Sequence, residues 1–302
     1  MSVTMVVAHT DPNWYDFLKR NQLYDEINFW RPSATSFKAL LPGELFLFKS
    51  KTGSKGIVGG GWFSTFRFME CFLAWEVFGF GNGAASEAEM MDQINSHREE
   101  AASPTTKIGC IVLNFPFFFE EQPIDVPNWK KGTQANKRYF TEQTDGRMIW
   151  DAVMKRLKSY QLDPNVENVV NSAKPHATPP RVGQSVFRHN VIENYDRRCA
   201  LTRERTLPAL EAAHIKPYTK GGPNTMPNGL LLRRDIHRLF DLGYVTIDHK
   251  MKFVVSGRIR QEFENGRDYY RLDGKELWIP NTVNRQPSLA ALSWHHNNCY
   301  LG

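Results

Sequence analysis

The sequence predicts an α+β protein of two domains joined by a linker, and three observations support this class. The chain has 302 residues, which is enough for two domains that each bury a core of their own. Residues 161–180 are rich in Pro, Asn, Ser and Ala and end in a Pro-Pro pair, a composition typical of linkers. On both sides of this stretch, apolar runs of strand length alternate with segments whose apolar residues recur at helical spacing. We therefore expect domains at residues 1–160 and 181–302, separated by a linker at 161–180.

The N-terminal half is predicted to contain both helices and strands. We expect helices at residues 14–23, 73–80, 86–100 and 148–160, and strands at residues 45–49, 57–63 and 108–119. Ser86 followed three positions later by Glu89 is a capping-box pattern that marks a helix start. Three consecutive glycines from Gly59 permit a bulged strand and the close approach of another backbone or a ligand. They do not form a phosphate loop, because neither a following Lys-Ser/Thr pair nor G-x-G-x-x-G spacing is present.

The C-terminal half is predicted to contain a strand, a second strand and then a helix. A short apolar strand ends at His214, a Gly-Gly-Pro loop follows, and a second apolar run begins after Asn228. Residues 235–241 then have helical spacing. Around this unit we expect a helix at 182–196, a hairpin that turns at 248–250 and a terminal helix anchored by Trp294.

The polar residues of this strand, strand and helix segment suit the hydrolysis of a phosphate ester. His214 closes a strand and faces a loop, so one ring nitrogen could deprotonate a water molecule. Asn228 lies in a Pro-Asn-Gly turn, where its amide can bond backbone groups and fix the loop that carries the histidine. His237 and Asp241 are four residues apart and share one helix face, a spacing that suits two ligands of one divalent ion. Such an ion would polarise a phosphate.

The order and spacing of His214, Asn228 and His237 resemble the HNH, or ββα-metal, nucleases. The flanking residues resemble one branch of that family, common in predicted bacterial restriction enzymes: Arg181, Gly183, Gln184, Phe187, Arg188, Tyr195, Arg198, Cys199, Ala200, Leu201, Thr202, Trp294 and His295. The resemblance covers residues 181–302. It implies that His214 is the general base, Asn228 a structural asparagine and His237 a metal ligand, with Asp241 as a further ligand.

The sequence departs from this family at Ala213, where many relatives carry an Asp or His metal ligand. Glu211 lies two residues earlier on the same strand face and could substitute directly or through a water molecule. The ion implied by the resemblance is Mg²⁺ or Mn²⁺. Three arginines on or beside the helix could hold neighbouring phosphates of DNA: Arg233, Arg234 and Arg238.

Residues of about 25–155 resemble a second family, the PUA-type β-barrel superfamily, which includes SRA and EVE domains. The resemblance rests on Pro42-Gly43-Glu44-Leu45 before a strand, on the glycines at 59–61 in the next strand, and on Ile111-Val112-Leu113 before a run of aromatic residues. It implies a PUA-like β-barrel with flanking helices that binds nucleic acid, and several members hold a flipped modified base in an aromatic pocket. We expect Trp30, Trp62 and Phe63 to form such a pocket, because they lie in turns or beside glycines and not in regular apolar runs. Each stacking face would contribute roughly 1–3 kcal/mol.

Composition and charge agree with a DNA-binding protein. Residues 181–302 contain 19 Lys and Arg against 12 Asp and Glu, so this half has a net charge of +7, whereas residues 1–180 have −1. A basic domain is the expected electrostatic feature of a protein that binds a polyanion. The four cysteines form no Cys-x-x-Cys pair, which argues against a zinc ribbon or a disulfide framework. No basic segment precedes an N-terminal apolar run and no membrane-length apolar stretch occurs, so we expect a cytoplasmic protein.

The sequence as a whole predicts a modification-dependent, type IV-like restriction endonuclease. Its N-terminal domain would recognise modified cytosine in double-stranded DNA, and its HNH domain would hydrolyse the phosphodiester bond. A single HNH site cuts one strand for each binding event, so double-strand cleavage would indicate a homodimer. Two alternatives are an HNH nuclease without modification dependence and a catalytically idle DNA-binding protein, the latter suggested by Ala213. Glu211 discriminates an active nuclease from the idle binding protein, because the metal shell is incomplete unless Glu211 reaches it.

Overall fold

The computed structural model describes residues 2–51, 55–130, 135–162 and 183–302. The chain divides into two compact units, Met1–Val182 and Gly183–Gly302. The segment predicted as a linker, 161–180, lies outside the described residues except for its first two, which end a helix. Both helices and strands are present, which confirms the α+β class. Within the described ranges, no helix has the length and apolar character needed to cross a membrane.

The N-terminal unit is built on a six-stranded sheet. Its described elements, in chain order, are β1 (Thr4–Thr10), α1 (Pro12–Arg20), β2 (Glu26–Arg31), β3 (Leu45–Ser50), β4 (Ile57–Glu70), α2 (Cys71–Phe78), α3 (Glu87–Asn95), β5 (Lys107–Phe118), β6 (Asn136–Phe140) and α4 (Thr144–Leu162). The strand order is β2-β5-β4-β3-β1-β6, and β1 and β3 are parallel while the other neighbours are antiparallel. A parallel pair needs a crossover connection, which α1 and β2 supply between β1 and β3.

Two features of the N-terminal unit follow directly from the sequence. The predicted N-cap of α3 is formed, since Ser86 Oγ accepts the Glu89 N–H at 3.1 Å; the Glu89 carboxylate reaches one residue further back than in a capping box and accepts the Ala85 N–H at 2.8 Å. The glycines of β4 accompany a break in the register with β5 between Gly60 and Trp62. A Cβ at Gly59 would lie 2.3 Å from the Phe117 carbonyl oxygen, so glycine lets β4 and β5 approach.

The C-terminal unit contains the expected strand, strand and helix. Its described elements are α5 (Gln184–Asn194), β7 (Leu210–His214), β8 (Gly229–Arg233), α6 (Arg234–Asp241), β9 (Val245–Ile247), β10 (Phe253–Val255), α7 (Arg258–Phe263), α8 (Arg267–Tyr270) and α9 (Leu289–Asn298). Strands β7 and β8 form an antiparallel hairpin in which His214 is opposite Gly229, and α6 begins directly after β8. Strands β9 and β10 form the second hairpin predicted from the sequence.

Helices α5 and α9 support this hairpin and α6. A Cβ at Gly229 would lie 2.4 Å from Val191 Cγ2 and 3.0 Å from the Phe187 ring, so glycine allows β8 to approach α5 closely. Helix α9 is anchored by His295, whose ring stacks on Phe240 at 3.6 Å and bonds the Phe240 carbonyl oxygen at 2.9 Å. Trp294, the anchor predicted from the sequence, is partly buried and has Lys216 Nζ 5.4 Å from its ring centroid, while His295 is 2% exposed.

Candidate active site

His214 is held at the end of β7 by a ring contact and a hydrogen bond. Its imidazole stacks on Phe187 with ring centroids 3.9 Å apart and planes 13° from parallel. Its Nε2 lies 2.8 Å from Asn224 Oδ1. Burial lowers the pKa of His214, and although the Asn224 bond opposes this shift, the net direction is down. The ring is therefore neutral at neutral pH and can accept a proton.

Asn228 holds the loop that follows His214. Its Oδ1 accepts the Lys216 N–H at 2.9 Å, and its Nδ2 donates to the carbonyl oxygens of Lys216 and Pro223, both at 3.0 Å. Its backbone carbonyl oxygen accepts the Ile215 N–H at 2.9 Å. The side chain is 3% exposed, so these bonds are shielded from water. Asn228 thus connects the end of β7 to the start of β8.

Replacing Asn228 with alanine is expected to lower the free energy of unfolding by about 1–3 kcal/mol, because it leaves buried backbone groups without partners. Urea unfolding followed by tryptophan fluorescence measures this change. Asn297→Ala, at an exposed position of α9, is the matched control and should change stability by less than about 0.5 kcal/mol. Equal stabilities of the two variants would contradict the scaffolding role.

His237 on α6 lies between two carboxylates. Its Nδ1 is 2.8 Å from Glu211 Oε2, and its Nε2 is 3.3 Å from Asp241 Oδ2. Burial by itself would lower the pKa of His237, but the bonds and charges of Asp241 and Glu211 outweigh it and raise that pKa. Glu211 on β7 therefore reaches the same imidazole as Asp241 on α6.

These three side chains fit a divalent ion in their chemistry. Within the ranges that the structure describes, no group of three or more His, Cys, Asp or Glu side chains has the arrangement of a metal site. The two carboxylates are oxygen donors of the kind that hard divalent cations prefer, and the imidazole beside them is a donor more usual for transition metals. Metal-binding histidines commonly use one ring nitrogen for the ion while the other bonds a carboxylate that orients the ring. His237 has a carboxylate at each nitrogen, so either one could orient it while the other joins the ion.

The three candidate phosphate-binding arginines differ in their partners. Arg233 is bonded to Asp235 through Nε at 3.0 Å and also through Nη2, so its guanidinium is already engaged. Arg234 Nε lies 3.3 Å from Glu211 Oε1. Arg238 is exposed, and no acidic partner is found for it in the described part of the chain.

A separate pocket of about 640 Å³ lies in the N-terminal unit. Its walls include five aromatic side chains: Trp14, Phe29, Trp30, Phe37 and Phe46. Polar side chains also line it: His9, Asp11, Arg31, Ser33, Lys51, His97 and Asn136. His97 Nε2 lies 3.4 Å from Asp11 Oδ2. The Nδ1 atom of His9 is buried and has no hydrogen-bond partner among the described residues.

Of the three predicted pocket residues, the structure brings Trp30 to this pocket but not Trp62 or Phe63. Trp62 is opposite Leu45 in the β3–β4 ladder and packs on the apolar cluster that contains Leu45, whereas the pocket is lined by Phe46 from the other face of β3. Phe63 is 5% exposed and lies behind Phe37, with ring centroids 5.5 Å apart. Alternation along the strands therefore separates Trp62 from the pocket, whereas Phe63 is buried behind a residue that lines it.

Several residues at the two sites were not expected from the sequence. Phe187 and Asn224 contact the His214 ring, and Phe37 and His97 line the pocket. In the sequence, Phe187 belongs only to the flanking residues that resemble the nuclease family. Asn224 follows a Gly-Gly-Pro turn, and no spacing rule links it to a histidine ten residues earlier.

Comparisons with known proteins bear on the C-terminal unit most directly. Residues 199–248 match the family model described as HNH endonuclease, which confirms the resemblance seen in the sequence. No curated protein matches the chain. Among solved structures, it is similar to the ASCH protein from Zymomonas mobilis, at 13% identity and a TM-score of 0.33 over 50% of this chain and 94% of that chain. It is also similar to the "modification dependent TagI restriction endonuclease", at 16% identity and a TM-score of 0.31 over 92% of this chain and 76% of that chain.

Proposed function

We propose that this chain, whose residues 199–248 form an HNH endonuclease domain, is a modification-dependent restriction endonuclease that recognises modified cytosine in double-stranded DNA. The observation that carries the proposal is the arrangement at the β7–β8 hairpin and α6. A neutral His214 ends β7, and α6 presents His237 with the carboxylates of Glu211 and Asp241 at its two nitrogens. These are the groups that metal-assisted hydrolysis of a phosphodiester needs.

In the proposed reaction, His214 takes a proton from a water molecule, and the resulting hydroxide attacks phosphorus in line with the 3′ oxygen. The bond between phosphorus and that oxygen breaks, and the oxygen is protonated by water. A divalent ion, Mg²⁺ or Mn²⁺, held by His237 with Asp241 and Glu211, would stabilise the charge that develops on the phosphate. Arg238 is exposed on the same helix and contacts a neighbouring phosphate of the DNA, so binding weakens as the salt concentration rises.

The position of Glu211 supports an active nuclease over an idle binding protein. The idle alternative rested on Ala213, which replaces a common metal ligand. Glu211 is within 2.8 Å of His237, so a second carboxylate is present beside Asp241. In this proposal, Glu211 supplies the metal ligand missing at position 213 from two residues earlier on the same strand.

The aromatic pocket of the N-terminal unit supports the recognition of a flipped base. A base removed from the duplex is held by stacking on aromatic faces and by hydrogen bonds to its edge. Trp30 suits the stacking role, because its Nε1 already donates to the Asn82 carbonyl oxygen at 3.0 Å, which fixes the ring. Lys51 and Arg31 line the same pocket and could meet the phosphates on either side of the flipped base.

The proposal is tested with matched DNAs that contain cytosine, methylcytosine, hydroxymethylcytosine or glucosylated hydroxymethylcytosine. Each is incubated with the protein and Mg²⁺ or Mn²⁺, and products are separated by size. We expect cleavage only of modified DNA. Equal cleavage of all four DNAs would show that the protein is a nuclease without modification dependence. Tight binding without cleavage would favour the idle binding protein. The ratio of nicked to linear plasmid then reports whether two HNH sites act together, as in a homodimer.

Replacing Trp30 with alanine is expected to reduce the preference for modified over unmodified DNA by about 5- to 150-fold, which corresponds to the roughly 1–3 kcal/mol of one stacking face. Binding to both DNAs is measured by fluorescence anisotropy. Trp62→Ala is the matched control, because Trp62 lies in the same unit but packs outside the pocket. A larger loss of preference in Trp62→Ala than in Trp30→Ala would remove the pocket from base recognition.

A further inference from the structure

We infer that Asn224 is the positioning residue that fixes the protonation and orientation of the His214 ring, so that Nε2 carries the hydrogen and Nδ1 is the basic nitrogen. This inference rests on the proposed function of His214 as the general base. It assigns a role to a residue that neither the sequence motif nor the family match singles out.

The hydrogen bond itself determines the tautomer. The Nε2 atom of His214 is 2.8 Å from Asn224 Oδ1. An amide oxygen can only accept a hydrogen bond, so Nε2 must donate, and in a neutral imidazole the other nitrogen then has no hydrogen. No hydrogen bond to His214 Nδ1 is found in the part of the chain that the structure describes. Its lone pair is therefore available to a water molecule.

The hydrogen bond to Asn224 alone would leave the His214 ring free to tilt about that bond. A stacking contact restrains this tilt. Phe187 stacks on the ring at 3.9 Å with planes 13° apart. Gly229, directly opposite His214 in the hairpin, has no Cβ, which allows α5 and therefore Phe187 to come this close. The stacking contact sets the ring plane, and the Asn224 bond sets the rotation within that plane.

The loop holds Asn224 in place from both sides. The carbonyl oxygen of the preceding residue, Pro223, accepts a hydrogen bond from Asn228 Nδ2 at 3.0 Å. The carbonyl oxygen of the following residue, Thr225, accepts one from the Asn228 backbone N–H at 3.0 Å. Asn228 thus fixes the backbone on either side of Asn224, and through Asn224 it acts on the general base.

Two substitutions separate positioning from a merely structural role. In Asn224→Leu the side chain has a similar size but no acceptor, so both tautomers become populated. The general-base contribution is on the order of 10²–10⁴-fold, and we expect kcat to fall by about 10- to 100-fold with KM for DNA unchanged. In Asn224→Asp the acceptor is retained and its charge favours the protonated imidazole. We expect near wild-type kcat and an acidic limb of the pH–rate profile that moves to higher pH.

The tautomer can be read without any cleavage assay. In the metal-free protein labelled with ¹⁵N-histidine, two-bond ¹H–¹⁵N correlations distinguish a protonated Nε2 from a protonated Nδ1. We expect His214 to have its hydrogen on Nε2 in the wild type and in Asn224→Asp, and a mixture in Asn224→Leu. Thr219→Ala, at an exposed position of the same loop, is the control and should leave the spectrum and kcat unchanged.

Two outcomes would overturn the inference. A wild-type ring protonated on Nδ1, or an Asn224→Leu protein with unchanged tautomer and kcat, would show that Asn224 does not set the base. If the protein cleaves no DNA, the proposed function fails, but the spectra of the wild type and of Asn224→Leu still decide whether Asn224 controls the ring. The two failures are therefore distinguishable.

Discussion

Replacing His214 with alanine is expected to reduce DNA cleavage by about 10²–10⁴-fold, the usual contribution of a general base, while DNA binding is retained. The substitution removes the proton acceptor at the end of β7 but leaves the basic surface of the unit in place. Single-turnover cleavage on modified DNA measures the rate, and anisotropy measures the affinity. A loss of affinity equal to the loss of rate would mean that His214 binds DNA and does not act as the base.

His249→Ala is the matched control for this experiment. His249 is an exposed residue of the turn between β9 and β10, in the same unit as His214 but outside the cluster around α6. Its replacement should leave both the rate and the affinity unchanged. Retained cleavage in His214→Ala would show that His214 is not the general base.

Replacing His237 with alanine is expected to lower the cleavage rate by roughly 10³-fold, since the stabilisation that a bound ion gives to the phosphate is worth several kcal/mol. The loss should persist across a titration of Mg²⁺ and Mn²⁺. Manganese binding followed by electron paramagnetic resonance provides a second measurement that does not depend on cleavage. We expect weaker Mn²⁺ binding in His237→Ala than in the wild type.

The control for His237 is His296→Ala, at an exposed position of α9. Glu211→Gln and Asp241→Asn extend the experiment, because each keeps the size of a carboxylate but removes its charge. The variant that weakens Mn²⁺ binding more identifies the carboxylate that joins His237 on the ion. Unchanged Mn²⁺ binding and activity in His237→Ala would exclude this cluster as the metal site.

The elements around the active site could be predicted because their sequence is locally consistent. The apolar run to His214, the Pro-Asn-Gly turn and the helical spacing of His237 and Asp241 each favour the structure that forms. The two helices nearest this site, Gln184–Asn194 and Arg234–Asp241, differ from the predicted ones by one or two residues at their ends. Local patterns of this kind do not depend on contacts with distant parts of the chain.

Three strands of the N-terminal unit were not predicted, for different physical reasons. Strand β1 lies inside the sheet with Met5, Val6 and Val7 fully buried, so it has no alternation of polar and apolar residues. Strand β6 is an edge strand, and its basic residues Lys137 and Arg138 look like a solvated loop. Strand β2 is the other edge strand and runs directly into Pro32.

Which side chains come together at each site was harder to predict than which segments of the sequence contain the sites. Trp62 and Trp30 both occur in irregular sequence contexts, and only the strand register shows that Trp62 is on the core side. Arg233 is basic and close to the site, but its pairing with Asp235 follows from side-chain geometry at the start of α6. The contact between Asn224 and His214 joins two ends of a loop. Pairings of this kind can be identified only from the tertiary structure.

The parallel pairing of β1 with β3 affects how the N-terminal unit can assemble. Strand β1 leaves the ribosome before the other strands of this sheet, yet its neighbours are β3, which begins at Leu45, and β6, which begins at Asn136. The sheet therefore cannot be built by adding strands in the order of synthesis. The second edge of β1 stays unpaired until β6 has been synthesised, when most of the unit is complete. Pairings of such large sequence separation close slowly, because the entropy of a long loop is lost before the contacts form. Until residue 140 is made, the apolar strand β1 offers an open edge to other chains.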